Sequence, residues 1–356
     1  MHADIENIKI TDDPIFIVGP HKSGTSLIRN LLDGHPDLFV IPIEMHFLMH
    51  AGLYIEYPYR KSEYNPVTIN AFNEKILQWV KQSEAKTDRY ADSITTGKWD
   101  IDLLAQLLNN TRTKRANLRE MLDYVVKALY LALNFDPQAR SIRFVEKSVE
   151  NAELVPIYKK IYPNAHFIHT VRNPYANLVS FRKYKTKQGK YPKIKPIVQS
   201  LLTNYKSLFR NMVYLDDINI IRYEDLATAP KETMKSLAGR VGIGYDQSLE
   251  KPTSLARSWN GNSTSNESFS SVTSRTIDNW KSDITDFEVW IVNSLMTTML
   301  HEFKYTKILP EKSWLNKPSI ENLSTYITNR LYFGMCGDSA LRRSAGKTIA
   351  ISPGIE

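Results

Sequence analysis

Lys22, Ser23, Thr25 and Ser26 crowd into the short stretch GPHKSGTS, around two glycines, Gly19 and Gly24, in a G-x-x-x-x-G spacing. A cation, hydroxyls and permissive backbone so close together suit an anion. Successive N–H groups of a glycine-rich turn converge on one point, and a following helix adds its positive end. Nucleotide phosphate loops of the form G-x-x-x-x-G-K-[ST] share the glycine spacing but carry their lysine directly after the second glycine. Here Thr25 follows Gly24, and Lys22 comes two residues before it. Two glycines alone would indicate an ordinary strand-to-helix turn; with the lysine and hydroxyls the stretch is expected to hold the terminal anion of a nucleotide.

A second group lies in HTVRNPYANLVSFR (residues 169–182). Arg172 stands at the carboxyl end of an apolar run, where open α/β sheets bind ligands. Ser180 follows eight residues later, two turns into a helix opened by Pro174. A guanidinium offers phosphate a bidentate contact and a hydroxyl adds another. An isolated arginine at a strand end more often forms a surface ion pair, so the weight rests on both groups occurring together.

These residues carry a resemblance. PHKSGTSLIRNLLDGHP resembles the 5′-phosphosulfate loop of sulfotransferases that use 3′-phosphoadenosine 5′-phosphosulfate (PAPS), whose usual form is close to [KR]-S-G-T-[ST]. LLDGHPD (residues 31–37) is similar to the LLxxHPD continuation of the bacterial and tyrosylprotein-type branch. The resemblance implies that Lys22, Ser23, Gly24, Thr25 and Ser26 bind the 5′ end of PAPS, and that Arg172 and Ser180 bind its 3′-phosphate. IRYEDL resembles a strand end whose tyrosine, here Tyr223, lines the donor pocket. VEKSVEN resembles one whose lysine, here Lys147, points into the active site. SRTIDNWKSDI resembles the R…W[KR] segment that closes over the donor, with Arg275, Trp280 and Lys281. The likeness covers roughly residues 14–48 and 140–306.

Sulfuryl transfer, like phosphoryl transfer, is an in-line displacement that needs positioned cations and a base for the acceptor hydroxyl. Lysines beside the leaving phosphate, here Lys22 and Lys147, stabilise its developing charge. The resemblance places the base after HPD, in VIPIEMHF, which offers Glu44 and His46. A glutamate occupies that slot in related sequences, which favours Glu44. The glycine that often precedes it is missing, and histidine as a residue type titrates near neutral pH, which favours His46. Two apart on an extended segment, both face the same way. PAPS is the expected co-substrate and no metal is expected. The acceptor is expected to bear a hydroxyl or amine, on a glycan, phenol, lipid or peptide. AGLYIEYPYRKSEY, aromatic and basic, inclines the choice towards a carbohydrate.

The elements that would position these groups alternate. PIFIVG, LFVIP, SIRFVEKS, AHFIHTVRN and DINIIRYEDL read as strands; TSLIRNLLDG, NAELVPIYKK, PYANLVSFRKYK and KETMKSLAGR read as helices. That rhythm predicts an α/β fold with a doubly wound, mainly parallel sheet. A helical insertion is expected at about residues 50–138, a polar loop or lid at 254–275, a final amphipathic helix at 285–305, and a C-terminal extension at 311–356 beyond a sulfotransferase domain at 1–310.

The chain of 356 residues carries a net charge of +8, which favours anionic partners. A single cysteine, Cys336, excludes an intramolecular disulfide and disfavours a cysteine-based zinc site. The N-terminus has neither the basic start nor the apolar stretch of a signal peptide, and no window reaches membrane-span length, so a cytoplasmic protein is expected. SAGKT (residues 344–348) contains Gly-Lys-Thr but has Leu341 where a phosphate loop needs its first glycine. Two other readings compete. A P-loop kinase or NTPase needs a lysine after Gly24 and a magnesium-binding acid at a strand end. A non-catalytic basic binder of nucleic acid or sulfated polymer would use the charge alone, but no nucleic-acid reader motif is present.

Overall fold

The computed structural model describes residues 5–53, 67–85, 98–110, 117–186, 191–259, 261 and 271–309. The α/β architecture expected from the sequence is present. An all-parallel sheet is built from β1 (Ile15–Val18), β2 (Phe39–Val40), β3 (Phe144–Lys147), β4 (His166–Val171) and β5 (Asn219–Arg222). Their spatial order is β2-β3-β1-β4-β5. β1 reads IFIV and is buried at every position, because helices cover both faces of a parallel sheet. Its alternation feeds two cores. Ile15 and Ile17 pack with Ile28, Leu31 and Leu32 of α1 (Thr25–Leu32) and with Met234 and Leu237 of the helix Pro230–Arg240. Phe16 and Val18 turn to the opposite face, with Phe144, Tyr158 and Phe167. The strand order reverses about β1, and in such sheets ligands bind beyond the carboxyl ends at the reversal.

The helical insertion joins β2 to β3. Its described helices are α2 (Ile69–Glu84), α3 (Ile101–Asn109) and α4 (Leu118–Ala132). Each opens on a side-chain cap from Thr68, Asp100 or Asn117, which satisfies a first-turn N–H. Phe72 and Ile76 of α2, Leu104 of α3 and Val125 of α4 enter the same core as Phe16. The insertion is therefore built into the main domain, and α2 reaches the end of the sheet where chemistry is expected.

Several boundaries differ from the sequence expectations. DINIIRYEDL stays extended only to Arg222, then turns into the helix Tyr223–Thr228, whose positive end favours the acidic pair Glu224 and Asp225 in its first turn. The last amphipathic segment breaks at Met296 into Asp286–Leu295 and Thr297–Glu302. Residues 253–258 form a small antiparallel hairpin at the start of the expected loop. Two further helices, α5 (Pro174–Lys185) and α6 (Ile194–Tyr214), follow β4; α6 was not foreseen. Most of AGLYIEYPYRKSEY, residues 262–270 of the polar loop, SAGKT and the C-terminal extension lie outside the described residues. Among the described residues no helix is long and apolar enough to cross a membrane.

β4 also carries a pH-sensitive element of stability. His169 is fully buried, and burial lowers its pKa from 6.5 to about 3, with little offset from Asn204 beside it. As pH falls, the unfolded chain therefore takes up this proton first. The contribution to stability is complete above 6.5 and is lost progressively towards about 3. Urea-unfolding midpoints are expected to fall more steeply with acidification in the wild type than in His169→Asn; parallel slopes would contradict the assignment.

Candidate active site

Residues 19–24 form the turn between β1 and α1. Gly19 has φ 142°, Gly24 φ 99°, and Lys22 is left-handed at φ 64°. A Cβ on Gly19 would lie 2.8 Å from the backbone oxygen of Thr170, and one on Gly24 2.8 Å from Cδ2 of Tyr223. The close approach of β4 and Tyr223 leaves no room for a side chain at either position. Ser23 is fully buried; its hydroxyl donates to the Pro20 carbonyl (2.6 Å) and lies 2.5 Å from Oγ1 of Thr170. Through these contacts the Ser23 hydroxyl fastens the loop to β4. Gly24 stands at the N-cap of α1 and brings no side chain of its own to the first turn, where Thr25 and Ser26 lie.

Arg172 leaves the carboxyl end of β4 and reaches back across this loop. Its Nη1 donates to the Lys22 carbonyl (2.8 Å), and its Cζ lies 4.3 Å from the centre of the Tyr223 ring. Its Nε is buried without a hydrogen-bond partner among the described residues. On α5, Asn177 donates to the His21 carbonyl (2.6 Å), and the Tyr184 ring lies 4.7 Å from Nζ of Lys22. Ser180 stands between Asn177 and Tyr184 on that helix, about one turn from each, so it occupies the loop-facing side. Glu224 secures the corner: it accepts from the Asn173 N–H (2.9 Å) and the Tyr305 hydroxyl (2.8 Å).

The candidate bases gather on the other side of the loop. Lys147, opposite Ile17 in the parallel register, is 1% exposed, and its Nζ lies 2.5 Å from Oε1 of Glu44. Oε2 of Glu44 lies 3.5 Å from Nε2 of His46. Nδ1 of His46 lies 3.3 Å from Oε2 of Glu150, whose other oxygen is 4.0 Å from Nε2 of His21 in the loop. Trp79 of α2 forms a wall: its indole N–H donates to the Glu44 carbonyl (2.6 Å), and its ring meets His46 edge-on at 5.2 Å. The loop after β1, the paired lysine and both candidate bases thus share one end of the sheet.

Comparison with known proteins places the chain in a family. A family model described as "Sulfotransferase family" matches residues 14–247. The chain belongs to the sulfotransferase family. Its fold is similar to that of the sulfotransferase domain from the curacin biosynthetic pathway, at 17% identity and a TM-score of 0.54, over 83% of this chain and 99% of that one. It is also similar to the sulfotransferase domain from the Synechococcus PCC 7002 olefin synthase, at 18% identity and a TM-score of 0.52, over 85% of this chain and 97% of that one. No curated protein matches it in sequence.

Three features of this sulfotransferase-family site were not foreseen. Glu146, one residue before Lys147, is fully buried and accepts from the Met45 N–H (3.2 Å), the Asn151 amide (2.6 Å) and the Ser148 hydroxyl. Burial raises its pKa above the ordinary carboxylate value, against the pull of those donors. Ser148 in turn accepts from the His46 N–H (3.2 Å), so Glu146 and Ser148 hold the turn at His46, itself left-handed at φ 48°. Glu150 is the second unforeseen group and Trp79 the third. Ligand atoms of Glu44, His46 and Glu150 lie within 4.8 Å of one another, close enough to share a cation. The Lys147 ammonium already supplies positive charge to Glu44 at 2.5 Å, so the cluster is suited to handling a proton.

The C-terminal segment packs against α5. Trp280 is buried and stacks on Tyr175 (5.5 Å, 7°), which docks the segment on α5. Arg275 and Lys281 are exposed, and Lys281 lies 3.0 Å from Asp278.

Proposed function

We propose that this chain transfers a sulfuryl group from PAPS to an acceptor hydroxyl or amine, with a carbohydrate as the favoured class. The observation that carries this reading is the row of cations along the carboxyl edge of the sheet. Lys147 ends β3, Lys22 lies in the loop after β1, Arg172 follows β4, and Arg222 ends β5. A nucleotide with phosphates on both sides of its ribose needs such separated cations. A magnesium-dependent NTPase would instead need a carboxylate free to hold the metal at the end of β4 or β5. Here arginines stand at those ends, and the acids after β5 are engaged, Glu224 by Asn173 and Tyr305 and Asp225 by Arg222.

The site's own groups divide the work. The loop, the uncapped first turn of α1, Thr25 and Ser26 suit the 5′ end of the donor. The open Nε of Arg172, with Ser180 and the Tyr223 ring, suits the 3′-phosphate. PAPS, when bound, supplies the sulfuryl group. Glu44 or His46 takes the acceptor's proton, and Lys22 and Lys147 balance charge on the departing phosphate oxygen. Arg275 and Lys281 complete the donor site as the C-terminal segment closes on it. Radiolabelled PAPS offered with glycans, phenols, lipids and peptides tests the reading. Label is expected in a single acceptor class, a glycan first; label retained in the donor across every class would count against the proposal.

A further inference from the structure

His46 faces a carboxylate at each ring nitrogen, Glu44 at Nε2 and Glu150 at Nδ1. A neutral imidazole carries one N–H for these two carboxylates; Nδ1 lies 3.3 Å from Oε2 of Glu150, close to it but without the alignment of a hydrogen bond. The two carboxylates are not equivalent. The Glu44 side chain is 20% exposed and bonded to the Lys147 ammonium, whereas Glu150 is 7% exposed and reaches towards His21 of the donor loop. The ring has little freedom to choose otherwise. It is 4% exposed, packs edge-on against Trp79, and is anchored through its backbone N–H to Ser148. Glu44 and Lys147 lie on one side of it, Glu150 and His21 on the other, Glu146 beneath the turn, and His50 one helical turn on, against Trp79.

We propose that Glu150 is a positioning residue that keeps a proton on Nδ1 of His46, so that Nε2 turns its lone pair to Glu44 and the two candidate bases act in series. This rests on the sulfuryl-transfer reading above. As the acceptor oxygen bonds to sulfur, its proton passes to Glu44 and from Oε2 of Glu44 to Nε2 of His46. The bond from sulfur to the 5′-phosphate oxygen breaks, and its electron pair leaves with that oxygen beside Lys22 and Lys147. Glu44 returns to a carboxylate and keeps Lys147 paired. The imidazolium is held between two carboxylates, so no charge is left buried alone. Because Glu150 also approaches His21, the base is positioned with reference to the loop that holds the donor.

The experiment compares full-length wild type, Glu150→Gln and Glu150→Asp by steady-state kinetics and by nitrogen-15 spectra of labelled histidine. In the wild type, His46 is expected as the Nδ1–H tautomer. Glu150→Gln is expected to disturb that tautomer, to lower kcat by about tenfold to a hundredfold, and to leave the donor KM unchanged. Glu150→Asp, which retains a carboxylate, should recover the tautomer and part of kcat. Wild-type kcat in Glu150→Gln, or a lower kcat with the wild-type tautomer retained, would overturn the proposal. A wild type that transfers no sulfuryl group would instead defeat the functional reading, and the tautomer comparison would still decide the role of Glu150.

Discussion

Arg172→Ala is expected to weaken binding of adenosine 3′,5′-bisphosphate by more than about a hundredfold, roughly 3 kcal/mol, and to abolish turnover. The guanidinium has two tasks in this geometry. Nη1 pins the Lys22 carbonyl, and the buried Nε is the donor left for a phosphate. Truncation removes the ligand contact and loosens the loop at the residue that carries the loop's own cation. Arg172→Lys keeps a charge but lacks the planar fork and its stacking on Tyr223, so it should recover only a small part of the affinity. Lys22→Ala should likewise abolish turnover, with its main effect on the transition state, where charge develops on the departing phosphate. Calorimetric titration with circular dichroism of each variant separates binding from folding. Full activity in a folded Arg172→Ala or Lys22→Ala protein would contradict the site.

Glu44→Gln carries the second large effect. Loss of a general base lowers kcat by about a hundredfold to ten-thousandfold, and donor affinity should hardly change because Glu44 lies outside the phosphate loop. The same substitution leaves the Lys147 ammonium, 1% exposed, without its carboxylate. Removing one partner of a buried ion pair costs about 3 kcal/mol, so the variant should also melt earlier. Glu44→Gln combined with Lys147→Met distinguishes the two consequences. Stability should return in the double variant, since neither charge remains, while activity stays lost. Urea unfolding and single-turnover assays on the wild type, Glu44→Gln and the double variant measure both. A Glu44→Gln protein with wild-type kcat would remove Glu44 from the chemistry.

Local pattern and long-range register divide what could be read from this sequence. The loop could be recognised because its chemistry lies within eight consecutive residues, GPHKSGTS, between an apolar strand and an amphipathic helix. Arg172 and Ser180 could be paired because Ser180 lies only eight residues on, in the helix that follows Arg172. Glu44 and Lys147 are 103 residues apart, and their contact arises only when the parallel register sets Lys147 opposite Ile17 beside the loop. Glu150 and Glu146 were in view within VEKSVEN, yet nothing in that string says which carboxylate faces His46 and which is buried beneath it. Trp79 comes from the insertion, whose apolar periodicity announced helices but not the surface they would cover. The start of the helix at Tyr223 was missed because INIIRY reads as continuous β-pattern, and the helix begins where tertiary contacts to Asn173 and Tyr305 recruit Glu224.

The central claim is a two-part anion site, the loop after β1 for the 5′ end of the donor and Arg172 with Ser180 for the 3′-phosphate. Calorimetric titration of the full chain with adenosine 3′,5′-bisphosphate in a chelator, against ATP with magnesium, tests it most directly. Saturable binding of the bisphosphate without a metal, at least about tenfold tighter than ATP with magnesium, about 1.4 kcal/mol, is the expected result. Equal or tighter binding of ATP with magnesium, or no binding of the bisphosphate, would contradict it.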